Sequence, residues 1–288
     1  MKATLQDVPY GPHEMNVLDL YRAPEPSGST FLWIHGGGFH SGDKSDSAKL
    51  HLLCVLHSSG ISIVTVNYRL TQQTIYLGPF HDCRRALQFV RRNARAWGLD
   101  PSRIGVGGVS AGAGMARWLG LRPNMAESES EDPIARESTT PNCVCMMDGQ
   151  TSYDPRFIAE EIGGDGRLAV NALSSLFGVP RDRWPHLYPD ERRLVEEASP
   201  INSLTKHAPP VFSTYSMAAD APPDIHHPRF SLCLKDRMEE FGCDCTILID
   251  EGLSKSDSSR QSMANAVSSF LARNLGERSR EASTSVGP

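Results

Sequence analysis

A serine flanked by glycines stands at the boundary between an apolar segment and a segment of helical character. Ser110 is the central residue of Gly108-Val-Ser-Ala-Gly112, between an apolar run that ends at Val109 and a small-residue segment, 111–121, of helical character. Glycines at this spacing permit a tight turn from a strand into a helix, which exposes the serine hydroxyl at the edge of a sheet. The stretch therefore predicts a nucleophile elbow, with Ser110 as the nucleophile.

A second glycine cluster suits the chemistry of such a serine. His35-Gly-Gly-Gly38 directly follows a continuous apolar run that begins at Thr30. Acyl transfer at a serine needs donors for the oxyanion that forms, and glycine N–H groups can approach a carbonyl oxygen without obstruction by side chains. We therefore expect the N–H groups of Gly36, Gly37 and Ala111 to form an oxyanion hole.

The elements that must position these motifs alternate between strand and helix. A weak alternation of side chains predicts a partly exposed strand at 16–22. Apolar or β-branched runs predict strands at 30–35, 61–68, 103–109, 142–147, 210–215 and 245–249. Helical spacing of apolar residues predicts helices at 45–58, 80–97, 111–121 and 228–241, with an amphipathic helix near the C-terminal end. This alternation indicates an α/β fold with a mostly parallel, doubly wound sheet.

We expect residues 1–275 to form a single α/β domain. About sixty residues separate two strands near the middle of the chain, and a structureless loop of that length is improbable in a compact domain. A helical insertion covering the site is therefore expected at about 150–205, with helices near Arg156–Ile162, Leu168–Phe177 and Asp190–Ala198. The small, polar and charged segment 276–288 is expected to be disordered.

Composition and charge exclude several classes of protein. The 288 residues contain 29 basic and 34 acidic side chains, giving a net charge of −5, with no basic run that could follow a phosphate backbone. Nucleic acid is therefore not an expected partner. No window is long and apolar enough for a membrane span, and the N-terminus has no secretory apolar core, so a cytoplasmic location is expected. The oligomeric state is open, with a homodimer among the alternatives.

The cysteines do not indicate a metal site. There are seven, an odd number, so a fully paired disulfide framework is excluded. Cys143 and Cys145 are separated by one residue, as are Cys243 and Cys245, and in a strand this spacing places both thiols on one face. We expect reduced cysteines that pack as small hydrophobic residues, with neither a metal nor a cofactor.

Taken together, the motifs resemble those of α/β-hydrolases in the hormone-sensitive-lipase-like, or alpha/beta hydrolase fold-3, esterase and lipase branch. The resemblance covers roughly residues 15 to 275 and is firmest up to about residue 120. It is carried by His35-Gly-Gly-Gly-Phe39, Val66-Asn-Tyr-Arg-Leu70, Asp82 with Ala86-Leu87, Leu99-Asp-Pro-Ser-Arg-Ile104, Gly108-Val-Ser-Ala-Gly112 and Ala198-Ser-Pro-Ile201. It implies an eight-stranded sheet with a helical insertion between strands six and seven. It also implies a serine esterase that cleaves a small carboxylic ester through an acyl-enzyme.

In that family an aspartate after strand seven and a histidine after strand eight complete a catalytic triad with the serine. Asp220 is the expected acid and Asp224 the second choice, although a solvated loop aspartate explains Asp220 equally well. No histidine follows His227, so the usual general base is absent from the segment after residue 249.

Three explanations of the missing histidine remain open. His226 or His227 substitutes from the loop after strand seven, where His227 would stand at the N-cap of a helix beginning at Pro228, or both simply cap and pack that helix. Alternatively, the enzyme works weakly without this base, since loss of a triad member leaves a residual acceleration of about 10³ to 10⁴ over water. In the third explanation, the fold has become a non-catalytic binding protein.

Polar residues also follow the strand predicted at 142–147. Asp148, Gln150 and Asp154 are expected at the same sheet edge as Ser110, where they could contact substrate. For Asp154, capping of the first helix of the insertion is an equally good explanation.

Overall fold

The computed structural model describes residues 1–47, 50–250 and 256–276, and an eight-stranded sheet runs through this part of the chain. The strands are β1 (Leu5–Pro9), β2 (Val17–Tyr21), β3 (Thr30–Ile34), β4 (Ser62–Val66), β5 (Ile104–Val109), β6 (Val144–Met147), β7 (Val211–Tyr215) and β8 (Cys245–Ile249). Their spatial order is β1-β2-β4-β3-β5-β6-β7-β8.

Six neighbouring strands of the sheet, from β4 to β8 in space, are parallel, and β1 and β2 are antiparallel additions at one side. The carboxyl ends of β3, β5, β6 and β7 therefore lie next to one another at one edge of the sheet. This arrangement confirms the predicted fold class, a mostly parallel eight-stranded α/β-hydrolase sheet. No strand was predicted at β1, which is partly exposed along its length.

Helices flank the sheet on both faces. They are α1 (Lys44–Ser47), α2 (His51–Ser58), α3 (Gly78–Asn93), α4 (Ala111–Leu121), α5 (Pro155–Phe157), α6 (Val170–Phe177), α7 (Pro189–Ala198), α8 (Arg229–Glu240) and α9 (Asp257–Leu275). The single helix predicted at 45–58 is two helices, α1 and α2, and residues 48–49 between them lie outside the described residues. A 3-10 turn, Ala94–Trp97, continues α3.

The sheet is buried on both faces because side chains of a strand point alternately to opposite sides. All five residues of β3 are buried. Leu32 and Ile34 belong to the larger apolar cluster, which includes residues of α3 and α4, whereas Phe31 and Trp33 belong to a second cluster with α2 and α9. The two clusters fix the sheet between its helices, so the strand ends that carry the site are held rigidly.

The chain between β6 and β7 is mostly helical. Here α5 runs on into a π-helical turn (Ile158–Ile162), and α6 and α7 are followed by 3-10 turns at Arg181–Arg183 and Pro200–Ser203, respectively. These elements lie close to the insertion helices predicted from the sequence. Residues 277–288, nearly all of the segment expected to be disordered, lie outside the described residues. No helix in the described part is both long and apolar enough to cross a membrane.

Candidate active site

The turn at Ser110 has the geometry of a nucleophile elbow. Ser110 caps α4 with φ 53° and ψ −119°, a backbone conformation that non-glycine residues rarely adopt. The backbone around it is packed too closely for a side chain. A Cβ added to Gly108 would lie 2.6 Å from the carbonyl oxygen of Ile34, and one added to Gly112 would lie 2.2 Å from the same oxygen. The two glycines therefore allow the turn to pack against β3 and to present the serine.

The glycine loop after β3 lies beside this serine. A Cβ added to Gly36 would lie 3.4 Å from Cβ of Ser110. Gly37 has φ 109°, and a Cβ there would collide with the backbone of Ser41. Within the described residues, none of the N–H groups of Gly36, Gly37 and Ala111 donates to another protein group. These N–H groups are therefore available to a ligand at the serine.

His35 supports the glycine loop through a hydrogen bond and a ring contact. Its Nδ1–H donates to the carbonyl of Gly36 at 2.7 Å, and its ring stacks on Tyr68 with a centroid distance of 4.4 Å. The hydroxyl of Tyr68 donates to the carbonyl of His35 at 3.0 Å. Burial lowers the pKa of His35, an effect partly opposed by the hydrogen bond to Gly36, so the ring is neutral near pH 7.

His226 is the histidine that meets the serine. Its Nε2 lies 3.0 Å from Oγ of Ser110, where the hydroxyl donates whenever Nε2 is unprotonated. Its Nδ1 lies 3.7 Å from Oδ1 of Asp224, which also accepts the backbone N–H of His226 at 2.8 Å. The loop between β7 and α8 thus brings together Ser110, His226 and Asp224, the second-choice acid.

His227 points away from the serine and supports its own loop. It is buried, its Nε2–H donates to the carbonyl of Ala221 at 3.1 Å, and its Nδ1 accepts the N–H of Arg229 at 3.1 Å. The helix begins at Arg229, with Pro228 at the N-cap, so His227 stands one residue earlier than the sequence predicted. Adjacent side chains diverge, and here His226 faces the site while His227 caps and packs α8.

Asp220, the first-choice acid, lies elsewhere. It is exposed, and the described residues show no hydrogen bond or ion pair between its side chain and either Ser110 or His226. The segment after β8, where the family's histidine was expected, reads Glu251-Gly-Leu-Ser-Lys255 and lies outside the described residues.

Two side chains after β6 form hydrogen bonds with the loop that carries His226. The side-chain amide of Gln150 donates to the carbonyl of Ile225 at 2.6 Å, next to His226 in the chain. Asp148 has φ 50°, and its carboxylate accepts the N–H of Ser216 at 3.3 Å. Burial raises the pKa of Asp148, while the Ser216 N–H and the nearby His226 lower it. Neither role was evident from the sequence, which indicated only that both residues lie at this edge.

Asp154 has the capping role that the sequence left open. Its carboxylate accepts the backbone N–H of Arg156 at 2.9 Å, which caps α5, and also pairs with the guanidinium of the same residue.

Arg117 lies beneath this part of the site. Its guanidinium is fully buried and donates to the carbonyl of Gly149 at 2.6 Å and to Oγ1 of Thr151 at 2.9 Å. It also donates to hydroxyl groups of β7 and α8, those of Ser213, Tyr215 and Ser231. One cation therefore joins α4 to the chain segments on either side of His226.

A small, mainly apolar cleft opens at Ser110. The insertion supplies much of its wall, together with the glycine loop and the start of α8. It is lined by Gly38, Phe39, Ser110, Ala111, Gln150, Ser152, Tyr153, Ile158, Leu168, Ala169, Ala172, Leu173, Ile225 and Phe230. A cleft of this kind suits a short acyl group better than a charged ligand.

The described residues contain no group of three or more His, Cys, Asp or Glu side chains that could hold a metal ion. Cys143 and Cys145 are buried thiols in the second apolar cluster. Burial raises the pKa of Cys143 to about 12, so both the packing and the protonation of this thiol fit the hydrophobic role expected from the sequence.

The chain is similar in sequence to proteins that are named as esterases. The sequence model of the BD-FAE family matches residues 18–220. Esterase LipQ of Mycobacterium tuberculosis is 26% identical over 239 residues, which are 81% of this chain and 53% of LipQ. Esterase LipC of the same organism is 25% identical, over a match that is 70% of this chain and 47% of LipC. The chain thus spans about half the length of these curated relatives.

Solved structures with similar folds include proteins named as esterases. A truncated carbohydrate esterase from gut microbiota superposes with a TM-score of 0.74 at 19% identity, over 95% of this chain and 96% of that chain. A bacterial heroin esterase gives a TM-score of 0.67 at 21% identity, over 90% and 80% of the two chains. At these identities the likeness establishes the fold, which confirms the α/β-hydrolase resemblance seen in the sequence.

Proposed function

Because the chain belongs to the BD-FAE family, we propose that it is a serine hydrolase that cleaves a small carboxylic ester through an acyl-enzyme on Ser110. The observation that carries the proposal is the 3.0 Å distance between Oγ of Ser110 and Nε2 of His226. A serine hydroxyl is a weak nucleophile on its own, and a neutral imidazole within hydrogen-bond reach is the group that activates it. Relatives named as esterases point to the same reaction.

In the proposed acylation step, Oγ of Ser110 attacks the ester carbonyl carbon while Nε2 of His226 takes the hydroxyl proton. The carbonyl oxygen becomes an oxyanion, which the N–H groups of Gly36, Gly37 and Ala111 stabilise. The bond to the alcohol oxygen then breaks, and His226 returns its proton to the leaving alkoxide. Each oxyanion-hole donor typically contributes about 3 kcal/mol of transition-state stabilisation.

Deacylation repeats the same steps with water in place of serine. His226 takes a proton from the water, the resulting hydroxide adds to the acyl carbon, and the oxyanion forms in the same hole. Breakdown expels Oγ of Ser110, which takes the proton from His226. The products are a carboxylic acid and the free enzyme, so the cycle needs no cofactor.

The shape of the cleft supports a short acyl chain in the substrate. Buried or partly buried apolar side chains line the cleft beside the serine, among them Phe39, Leu173 and Phe230. Such a wall contributes to binding of an acyl group in proportion to the apolar area it covers. We therefore expect acetyl and other short acyl esters to be turned over best.

The test compares single alanine variants at Ser110, His226 and His227 with p-nitrophenyl acetate and a fluorophosphonate probe. S110A is expected to abolish labelling and turnover. H226A is expected to lower kcat by about 10² to 10⁴ because the general base is lost. H227A removes a capping residue, so its expected effect is on stability, with a much smaller loss of kcat per folded molecule.

His207 provides a matched control because it is an exposed histidine outside the site. H207A is expected to behave like the parent protein in both assays. Turnover that survives S110A unchanged, or equal rates for H226A and H207A, would contradict the proposed function. Absence of turnover with every acyl ester tried would favour the binding-protein alternative.

A further inference from the structure

We propose that Gln150 is the positioning residue for His226, because its side-chain amide holds the loop after β7 so that the imidazole stays within reach of Ser110. The inference rests on the serine hydrolase function proposed above and names a residue on which the rate of that reaction depends. The family pattern has its histidine after β8, whereas the histidine at this serine belongs to the loop after β7. A histidine in this position needs contacts of its own to hold it.

The loop that carries His226 has few ties to the rest of the molecule. Residues 217–226 contain no helix or strand. Among the described residues, two hydrogen bonds reach them from outside the loop, one between Ser110 and His226 and one from Nε2 of Gln150 to the carbonyl of Ile225 at 2.6 Å. The others join residues of 218–227 to one another. The first bond involves the reacting hydroxyl itself, so the bond from Gln150 is the contact that can hold His226 throughout the reaction.

The amide of Gln150 acts here as a donor. Its partner is a carbonyl oxygen, which only accepts hydrogen bonds, so the NH2 end of the amide faces Ile225. This carbonyl belongs to the peptide group that joins Ile225 to His226, and the N–H of the same group donates to Oδ1 of Asp224 at 2.8 Å. Because a peptide group is planar, the two hydrogen bonds fix the plane from which the side chain of His226 projects.

Gln150 is itself held rigidly. It is 8% exposed, and the buried guanidinium of Arg117 fixes the residues on both sides of it, with bonds to the carbonyl of Gly149 at 2.6 Å and to Oγ1 of Thr151 at 2.9 Å. The hydroxyl of Tyr215 also donates to the carbonyl of Gly149, at 2.7 Å. The amide of Gln150 therefore extends from a fixed segment of backbone, as a residue that positions another must.

A displacement of His226 should affect the rate of reaction more than the binding of substrate. Proton transfer needs a distance of about 2.6–3.2 Å between Nε2 and the hydroxyl oxygen, and the observed distance is 3.0 Å. Misplacement of a catalytic group by about 1 Å can cost about 10²-fold in rate. The acyl group, by contrast, contacts the apolar wall of the cleft. Loss of the Gln150 hydrogen bond is therefore expected to lower kcat and to leave KM nearly unchanged.

The first test compares Q150M with Q88M, two changes that replace a buried glutamine by a side chain of similar shape without a donor. Gln88 on α3 does not line the cleft, and its Nε2 donates to the carbonyls of Ala135 and Glu137 at 2.8 Å each. Both variants are expected to lower the free energy of unfolding. Q150M alone is expected to lower kcat for p-nitrophenyl acetate per folded molecule, by about 10-fold to 10²-fold, with KM changed less than about threefold.

The second test uses Q150E, which places a carboxyl group of the same shape at this position. A carboxyl group donates a hydrogen bond only when it is protonated. Burial and the carbonyl of Ile225 both favour the protonated form, so more of it is present as the pH falls. The ratio of kcat for Q150E to kcat for the parent protein is therefore expected to rise about threefold or more from pH 8.0 to pH 5.5. For Q150M, which has no donor at either pH, the same ratio is expected to stay constant.

A kcat of Q150M within about threefold of the parent value, or a ratio for Q150E that does not rise toward pH 5.5, would overturn the proposal. If Q150M does not fold, the pH dependence of Q150E decides it. Failure of this inference leaves the proposed function in place if Ser110 still reacts with the fluorophosphonate probe and H226A is still impaired. If Ser110 is not labelled in the parent protein, the hydrolase function itself fails, and the role of Gln150 fails with it.

Discussion

The guanidinium of Arg117 shows how single residues hold this site together. It is completely buried, yet its described partners are all hydroxyl and carbonyl oxygens. A buried charge is costly unless hydrogen bonds satisfy it, and the planar five-donor fork of arginine is the group that reaches so many acceptors at once. Arg117 therefore stabilises both the chain after β6, which carries Asp148 and Gln150, and the start of α8.

R117K tests this role because it keeps the charge and loses the fork. The free energy of unfolding is expected to fall by about 2 kcal/mol or more, since a lysine reaches fewer of the acceptors and leaves the others without a donor. Its kcat is expected to fall as well, because the chain after β6 and the start of α8, which position His226, are held less firmly. The measurements are urea unfolding and p-nitrophenyl acetate turnover.

R193K is the matched control for that change. Arg193 is on α7, and its side chain is 78% exposed, so the same substitution there is expected to alter stability by less than about 0.5 kcal/mol. Equal effects of R117K and R193K on the free energy of unfolding would show that the guanidinium hydrogen bonds of Arg117 do not stabilise the fold.

Helix α6 illustrates how the insertion shapes the cleft. Ala172 and Leu173 lie at the cleft, whereas Asn171 on the same helix is exposed. A Cβ added to Gly38 of the oxyanion loop would lie 3.5 Å from Cβ of Ala172, so this helix packs directly against the loop. The volume available to an acyl chain is therefore set jointly by the insertion and the glycine loop.

A172L is expected to shorten the acceptable acyl chain. The larger side chain fills part of the cleft, so kcat/KM for p-nitrophenyl butyrate should fall about tenfold or more relative to the acetate ester, within the range found for one or two methylene groups. N171L adds a leucine at the neighbouring exposed position and should leave the butyrate-to-acetate ratio unchanged. An unchanged ratio in A172L would place the acyl chain elsewhere.

Elements were predictable from the sequence where one pattern dominates. The strands β3 and β4 are apolar or β-branched except at Ser62 because both of their faces are buried, and the glycines around Ser110 are required by close backbone contacts. By contrast, β1 is short and partly exposed, contains Asp7 and ends at Pro9, so no strand pattern identifies it.

The partners of Ser110 were predictable only as alternatives. His226 and His227 are neighbours in the sequence, and only the path of the loop after β7 decides which ring faces the serine. The acid was likewise open between Asp220 and Asp224, and the path of the same loop decides that Asp224 lies beside His226.

The site depends on parallel strands whose carboxyl ends lie side by side at one edge of the sheet. The glycine loop follows β3, Ser110 follows β5, Asp148 follows β6, and the loop with His226 follows β7. These strands are consecutive in the sheet, so groups far apart in sequence converge without long connections. Stability of the sheet and assembly of the site are therefore linked, and His35 at the end of β3 takes part in both.

His35 should make the stability of the molecule depend on pH. Burial lowers its pKa, so below about pH 6.5, the ordinary value, the unfolded chain binds a proton more readily than the folded one. The stability that depends on neutral His35 is complete above that pH and is lost as the pH falls toward the folded-state value. H35N keeps a donor for the Gly36 carbonyl and does not titrate.

The free energy of unfolding in urea at pH 7.5 and pH 5.0 checks this prediction. H35N is expected to lose less stability between the two values than the parent protein, whereas H207N, at an exposed histidine, should follow the parent. An equal loss in H35N and the parent would mean that His35 titrates no differently in the folded and unfolded chains.

The position of His226 before α8 has a further consequence for how the chain can be divided. Every described group assigned here to the reaction lies between the glycine loop and the start of α8, whereas β8 and α9 contribute packing. The turn at 241–244, between α8 and β8, thus separates a segment with all the proposed reactive groups from one that completes the sheet. In a protein cut there, the larger fragment would keep the proposed reactive groups and the smaller would carry β8 and α9, so recovery of the proposed activity on mixing would report reassembly of the sheet.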